Sequence, residues 1–176
     1  MLTSTTLNTR RQQRGITLIE VSIGLIIAAI IAAAAFIAFQ NNSRRAEIRD
    51  NVRQITEIIS ETQQKIGLPN GSYAGLTAAI AVQSAILDNT VNSYNGTIVL
   101  APASATDNNN ARLTWPNVPI DQCVDLVIAA AEGVVSFNGT GTADIPVVNG
   151  TIPLATATGE CSTTAPTSLE FVFARR

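Results

Sequence analysis

The chain has 176 residues, of which 46% are hydrophobic and 14% charged, with a net charge of −2, two cysteines and no histidine. This length suits one domain of ordinary size with an added segment. The lack of histidine removes the commonest general base and the commonest transition-metal ligand. The acidic balance argues against nucleic-acid binding. The composition therefore argues against an enzyme, and we expect neither a cofactor nor a metal site.

Residues 1–15 are polar and basic, with Arg10, Arg11 and Arg14 and no acidic residue. We interpret them as a leader peptide. Without them, eight basic residues remain against thirteen acidic ones, so the other side chains carry a net charge of −5. Basic residues before an apolar span favour keeping that end of the chain in the cytoplasm. We therefore expect everything after the span to lie outside the cytoplasm.

An apolar run of 24 residues, Ile16 to Phe39, follows the leader, and Glu20 is its only ionisable residue. As a helix it would measure about 36 Å, which exceeds the roughly 30 Å of a bilayer's hydrocarbon core. A helix that is apolar on all sides needs lipid or other apolar helices around it. The run predicts a transmembrane helix that contains one unexplained charge.

The helical pattern continues over residues 40–66, where it becomes amphipathic. Six residues recur at alternating intervals of four and three and so share one face: Ile48, Val52, Ile55, Ile59, Thr62 and Ile66. Gly67 and Pro69 are typical of a helix end. We predict one continuous helix of about 51 residues, with an apolar first half and a second half that packs on a sheet.

Residues 67–176 predict a globular α/β head with two helices and several short strands. The predicted helices are 75–89 and 119–132, and the predicted strands are 97–101, 111–115, 134–137, one at Val147 and 169–173. A turn-rich segment between the first two strands indicates a hairpin. Leu169, Phe171 and Phe173 alternate with other residues, which favours an interior sheet position for the last strand.

Four Asn-Gly pairs follow the long helix, and each is followed by Ser or Thr: they begin at Asn70, Asn95, Asn138 and Asn149. Asn-Gly is typical of tight turns because both residues tolerate positive φ. Each triplet also matches the glycosylation acceptor pattern. Turns are the favoured interpretation.

Two acidic features could mark a binding site. Asp107 beside three asparagines could ligate calcium, but the spacing matches no EF-hand and favours a loop. Asp121 and Asp125 share a helix face, where two like charges more often belong to a solvated turn than to a site. We assign neither feature a function.

Cys123 and Cys161 are the only cysteines. In an exported domain such a pair more often forms a disulfide than a metal site or a redox pair. Their separation excludes a Cys-x-x-Cys motif. A bridge that closes a loop of about 39 residues would stabilise the fold by about 4 kcal/mol on the chain-entropy model.

Three interpretations of the apolar run compete. It could be a secretory signal cleaved at the small residues Ala33–Ala35, which makes Glu20 an accident. It could be a plain signal anchor whose Glu20 lies near the headgroups and is favoured by the helix dipole, which leaves the flanking residues unexplained. In the third, the chain is cut between Gly15 and Ile16 and keeps the apolar run.

The third interpretation rests on a resemblance. Residues 14–20, RGITLIE, followed by VSIGLIIAAIIAAAA, resemble the processing site of type IV pilin precursors. In that family a prepilin peptidase cuts after a glycine and methylates the new terminal amine. The resemblance implies Gly15 before the cut, Ile16 as the mature terminus and Glu20 as the fifth mature residue.

The same resemblance implies that residues 16–39 form the core of a filament. The apolar contacts would come from Leu18, Ile19, Val21, Ile23, Leu25 and Ile26. Glu20 would pair with the terminal amine of a neighbouring subunit, because a carboxylate buried in an apolar bundle must be paired or neutralised.

Several features resemble the type IVb branch of the family. The leader is longer than in type IVa precursors, the mature chain begins with Ile rather than Phe, and no proline interrupts residues 16–66. The segment LTWPNVPIDQCVDLV resembles the strand-to-helix segment of type IVb pilins. The resemblance implies an α+β type IV pilin fold, in which the long helix packs on an antiparallel β-sheet head. It also implies a C-terminal disulfide loop bounded by Cys123 and Cys161.

The resemblance implies a major pilin that polymerises with copies of itself into a surface filament for adhesion, aggregation or conjugative mating-pair contact. The implied partners are a prepilin peptidase, an assembly platform, an assembly ATPase and a secretin. The precursor would lie in the bacterial inner membrane with its head outside the cytoplasm. A type II secretion pseudopilin shares the N-terminal motif, but the large head and cysteine loop favour the pilin. A membrane-anchored extracytoplasmic binding domain is the alternative from another class.

Overall fold

The computed structural model describes residues 17–104, 106, 108–140 and 143–175. The chain divides into two compact units, Met1–Asn42 and Ser43–Arg176. Helix α1, Leu18–Thr62, begins in the first unit and ends in the second. The predicted leader lies outside the described residues.

The second unit is built on a five-stranded antiparallel sheet with the strand order β1-β2-β5-β3-β4. The strands are β1 Val99–Pro102, β2 Asn110–Val118, β3 Ser136–Asn138, β4 Ile145–Pro146 and β5 Thr167–Ala174. The predicted hairpin is present, with Leu100 of β1 opposite Leu113 of β2. The C-terminal strand β5 takes an interior position, as its alternating pattern predicts. The predicted α+β fold class is confirmed.

The amphipathic half of α1 places its predicted stripe in the core of the second unit. Five of the six stripe residues are buried and Val52 is partly buried. The four isoleucines of the stripe belong to one apolar cluster with Leu113 and Trp115 from β2 and Phe171 from β5, and Val52 packs against it. Because each fully buried large side chain contributes about 1.5–3 kcal/mol, this stripe is a major part of the head's stability.

The buried face of α1 and of the π-helical turn that follows it is wider than the predicted stripe. Ile58, Asn51 and Gln63 are also buried. The Asn51 amide donates to the Glu47 carbonyl at 2.8 Å, and the Gln63 amide donates to the Ala174 carbonyl at 2.8 Å. These hydrogen bonds satisfy the two polar groups, so their burial is tolerated.

The helical run continues past its predicted end at Ile66. It passes through a π-helical turn, Gln63–Gly67, and then through helix α2, Leu68–Asn70. Gly71 ends it in a left-handed conformation with φ of 62°. The prediction placed the end one turn too early.

Gly67 and Pro69 therefore have roles other than ending the helix. Pro69 has no N–H to donate within a helix. The π turn before it lengthens the hydrogen-bonded turn by one residue, since the Leu68 N–H donates to the Gln63 carbonyl five residues back. Gly67 has helical dihedral angles, but a Cβ at this position would overlap the Tyr73 hydroxyl. The glycine is explained by close packing.

The two predicted head helices have different outcomes. Helix α4, Ile120–Ala130, lies where the sequence predicts it, but α3 covers only Ala78–Gln83 of the predicted 75–89. The chain turns at Ala85, which has a φ of 50°. The turn ends α3 early and carries the following apolar residues, Ile86 and Leu87, into the core.

The segment between α4 and β5 differs from the prediction in detail. Strand β3 begins two residues later than the predicted 134–137, and β4 ends one residue before Val147. Helix α5, Leu154–Glu160, is not predicted by the sequence. Its sequence, LATATGE, has no apolar stripe that would indicate a helix.

Positive φ occurs at one or both residues of three Asn-Gly pairs, those that begin at Asn70, Asn95 and Asn149. The predicted turn at the fourth pair is wrong, because Asn138 is the buried last residue of β3. Gly139 is instead required by packing, since a Cβ there would overlap the Glu160 carbonyl oxygen.

Candidate functional site

The start of α1 exposes its large apolar side chains. The six residues assigned to the filament core are between 48% and 88% exposed: Leu18, Ile19, Val21, Ile23, Leu25 and Ile26. By length and composition this helix could cross a membrane, a test that a cleaved signal sequence would also pass. So large an apolar surface needs apolar surroundings, which the described residues do not supply.

Glu20 is the only ionisable residue between Thr17 and Asn42. Its carboxylate lies in the first turn of α1, where the helix dipole favours a negative charge. The Thr17 hydroxyl donates to this carboxylate at 3.5 Å, and the Thr17 carbonyl accepts the Glu20 N–H at 3.0 Å. Thr17 is not among the site residues predicted from the sequence. Its Thr-x-x-Glu spacing, which is that of a capping box, is the signal that could have identified it.

Gly15 and Ile16, between which the predicted cut falls, lie outside the described residues. The cut therefore stays a prediction, and so does the pairing of Glu20 with a terminal amine. The core roles assigned to the six apolar residues also stay predictions.

No group of three or more His, Cys, Asp or Glu side chains is placed to hold a metal ion in the part of the chain that the structure describes. Asp107, the alternative calcium ligand, lies outside that part. Asp121 and Asp125 are exposed, and the Arg44 guanidinium approaches them at 3.4 and 4.0 Å. Because exposed ion pairs contribute about 0–1 kcal/mol, we regard them as partly neutralised surface charges.

A disulfide joins Cys123 in α4 to Cys161 directly after α5, with the two Cα atoms 5.9 Å apart. Both cysteines are buried. Two hydrogen bonds hold the same region: the Gly139 N–H donates to the Glu160 carboxylate at 3.1 Å, and the Thr140 N–H donates to the Glu160 carbonyl at 2.9 Å. The bridge therefore ties the end of α5 to α4, and Ala157 is the one buried residue of α5.

A chain of polar groups links three parts of the head. The Tyr94 hydroxyl donates to the Gln122 side-chain oxygen at 2.7 Å, and the Gln122 amide donates to the Glu47 carboxylate at 2.9 Å. The loop before β1, helix α4 and helix α1 are thereby connected. Burial, and to a lesser degree the Glu47 and Asp121 carboxylates, raise the pKa of Tyr94 to about 12.

We expect the stability of the head to fall as pH rises from about 10 to about 12. Above its ordinary pKa of about 10, Tyr94 loses its proton in the unfolded chain but keeps it in the folded chain. Its contribution is therefore complete below pH 10 and is lost as pH rises through the folded pKa. Denaturant unfolding of the full chain in detergent between pH 8 and pH 12 measures this decline.

Tyr94→Phe should flatten the decline with pH. Tyr73 is the matched comparison, because burial also raises the pKa of that hydroxyl. Replacing Tyr73 with Phe separates the contributions of the two tyrosines to the decline of stability with pH. An unchanged pH dependence in Tyr94→Phe would contradict the assignment.

The chain combines an exposed apolar helix, with one carboxylate near its start, and an amphipathic continuation in the core of an antiparallel head. These features define the class of type IV pilin subunits. The family comparisons agree with this class. The PilS N-terminal family model matches residues 45–173, and the prokaryotic N-terminal methylation motif matches residues 10–36. The chain belongs to the PilS N-terminal family. It is a pilin subunit and not an enzyme.

Two solved pilins align with this chain at low sequence identity. A type IVb pilin from Salmonella typhi aligns with a TM-score of 0.54 and 18% identity, over 73% of this chain and 99% of that one. TcpA, a type IV pilin from the Vibrio cholerae El Tor biotype, aligns with a TM-score of 0.49 and 15% identity, over 71% and 99%. A comparison with curated protein sequences finds no match. The first of these likenesses supports the type IV pilin fold.

Proposed function

We propose that this chain is the major structural subunit of a type IVb-like pilus. It is cut between Gly15 and Ile16, methylated at the new terminus and polymerised through residues 16–39 into a surface filament. The filament serves adhesion, aggregation or conjugative mating-pair contact. The observation that carries the proposal is the exposed apolar surface of α1 up to Phe39, in which Glu20 is the only charge. The methylation motif over residues 10–36 supports the position of the cut.

The apolar helix exchanges one apolar environment for another during assembly. In the inner membrane residues 16–39 face lipid, and in the filament they face the same helix of other subunits. Apolar area stays out of water in both states, so transfer between them has little hydrophobic cost. An assembly platform and a cytoplasmic ATPase then have to move and orient the subunit, and a secretin lets the filament leave the cell.

Glu20 sets the alignment of neighbouring helices in this proposal. In the membrane the carboxylate lies near one end of the span, within reach of the headgroups. In the filament it is buried, and the Ile16 amine of a neighbour displaced along the axis supplies the positive partner. A buried polar pair that forms in one register selects that register, as a buried polar residue does in a coiled coil.

Mass spectrometry of the mature N-terminus tests the processing. A methylated Ile16 terminus is the expected result, and a terminus at Phe36 or an intact leader would overturn the proposal. Electron microscopy of sheared surface material, labelled for this chain, tests the filament. Long filaments at native expression favour the pilin, and their absence from a correctly processed protein favours a type II secretion pseudopilin.

A further inference from the structure

The helical run carries a regular series of charges in the second unit. The series has an interval of four residues: Arg45, Arg49, Arg53, Glu57, Glu61 and Lys65. The Lys65 ammonium contacts the Glu61 carboxylate at 2.9 Å. The three arginines and Glu57 are exposed and make no ion pair or hydrogen bond among the described residues. Four charges of the series are therefore free to contact another molecule.

The order of these charges does not stabilise an isolated helix. Like charges four residues apart repel each other, and the series places three arginines and then two glutamates at that spacing. Arg53 precedes Glu57, which is the weaker orientation for an intrahelical pair, and the two make no ion pair among the described residues. Stability of α1 by itself therefore does not explain the series.

The positive and the negative charges lie on different flanks of the exposed face of the helix. At about 100° per residue, the arginines at 45, 49 and 53 span about 80° of the helix surface. Asp50, Glu57 and Glu61 lie within about the next 80°. The buried stripe ends about 20° before Arg45, so it borders the arginine flank and lies opposite the acidic residues. We call the first set the arginine flank and the second the acidic flank.

The acidic flank borders a groove of about 410 Å³. Glu57 and Glu61 line one side, and Asp88 from the loop after α3 lines the other. Buried apolar side chains, Ile58 and Ile86 among them, also line the groove. Most of the lining is polar, with Asn89 and Ser93 among it. A planar cation with several N–H donors therefore suits the groove.

We propose that the arginine flank of one subunit packs into the acidic groove of the next subunit along the filament. This inference rests on the proposed function. A contact between two different surfaces of identical subunits is heterologous and can generate an open helical filament. Arg49 opposite Glu57 and Arg53 opposite Glu61 require the same displacement of eight residues, or about 12 Å along the helix axis. Lys65 contacts one oxygen of the Glu61 carboxylate, so Arg53 would use the other oxygen. One axial step satisfies both pairs.

Charge reversal on each flank tests the contact. Arg49→Glu with Arg53→Glu leaves Arg45 as the one basic residue of the arginine flank. Glu57→Arg with Glu61→Arg leaves Asp50 as the one acidic residue of the acidic flank. Each double variant is expected to yield about tenfold fewer surface filaments or less than wild type, because like charges then meet at every contact. Electron microscopy and quantitative immunoblotting of sheared material measure the loss.

Two restorations separate an intersubunit contact from a folding defect. All four substitutions in one chain exchange the charges within the two proposed pairs and are expected to restore filaments. Co-expression of the two double variants is also expected to restore them, as mixed filaments that contain both, because each contact then joins an acidic flank to a basic one. Glu132→Arg, at an exposed position away from α1, is the control for a change of charge and should assemble normally.

The outcomes distinguish this contact from the proposed function. Normal filaments from either double variant would overturn the contact, and so would a failure of both restorations when processing and disulfide formation are intact. Restoration by either route supports it. A wild-type chain that forms no filaments would contradict the proposed function itself, and the contact with it.

Discussion

A Glu20→Ala subunit is expected to be cut and inserted into the membrane as the wild type is, but to form at least about tenfold fewer surface filaments. Without the carboxylate, the terminal amine of a neighbouring subunit would be buried in the filament core with no counter-charge. Breaking a buried ion pair by removing one partner costs about 3–5 kcal/mol. Since about 1.4 kcal/mol already changes an equilibrium constant tenfold, the loss of assembly should be large.

Three further variants assign the effect to charge. Glu20→Gln keeps the length of the side chain and its contact with Thr17 but removes the charge, so it should fail as Glu20→Ala does. Glu20→Asp keeps the charge on a shorter side chain and should retain part of the assembly. Glu132→Gln, the same loss of charge at an exposed position of the head, should assemble normally.

The measurements are the mass of the mature N-terminus, the amount of subunit in the membrane fraction and the number of filaments in sheared material. They separate a failure of processing from a failure of assembly. Normal filaments from Glu20→Gln would show that charge at this position is dispensable, and would remove the proposed role of Glu20 in alignment.

The parts of the fold that the sequence predicts well are those whose burial repeats with a local period. The stripe from Ile48 to Ile66 follows the helical period, and Leu169, Phe171 and Phe173 follow the strand period, so each pattern identifies both the element and its buried face. The helix end is different. Gly67 is required by the packing of Tyr73, a contact that local helix-end signals do not contain.

Long-range pairing is the part that the sequence does not provide. The Arg112 guanidinium on β2 contacts the carboxylates of Glu170, on the neighbouring strand β5, and of Asp144. Arg112 and Glu170 meet because of the register in which β2 and β5 pair. Register depends on how the whole sheet assembles, so the charges are visible in the sequence while their partners are not.

The candidate site is predicted from single residues that differ from their neighbours more than from a periodic spacing. Glu20 stands out because it is the only charge in 24 residues, and the cysteines allow one intramolecular pairing because there are two of them. The arginine and acidic flanks are harder to recognise. Their spacing is present in the sequence. Two features become visible only in the folded head: the groove beside Glu57, and the lack of partners for Arg45, Arg49 and Arg53 among the residues that the structure describes.

Removing the bridge between Cys123 and Cys161 is expected to lower the free energy of unfolding of the head by about 4 kcal/mol. The bridge joins residues 38 apart, and opening that loop returns conformational entropy to the unfolded chain. A domain of this size has a stability of about 5–15 kcal/mol. Loss of the bridge should therefore leave a much larger unfolded fraction and fewer subunits available for assembly.

The local effect should be greatest around α5. This helix has seven residues, fewer than an isolated helix needs to form in water. Its end is held by Cys161 and by the hydrogen bonds that Glu160 accepts from Gly139 and Thr140. Strands β2 and β5 contribute Trp115 and Phe171 to the apolar core, so we expect them to keep their position without the bridge.

Unfolding of the full chain in detergent, with and without reductant, measures the global effect. Cys123→Ala with Cys161→Ala should be as unstable as the reduced wild type and should not respond to reductant. Alanine is a better replacement than serine, because a serine hydroxyl at the fully buried Cys123 would need a hydrogen-bond partner there. Hydrogen exchange should accelerate in Leu154–Glu160 more than in β2 and β5. A loss below about 1 kcal/mol would mean that the apolar core holds this segment without the covalent link, since loop entropy alone predicts a loss four times as large.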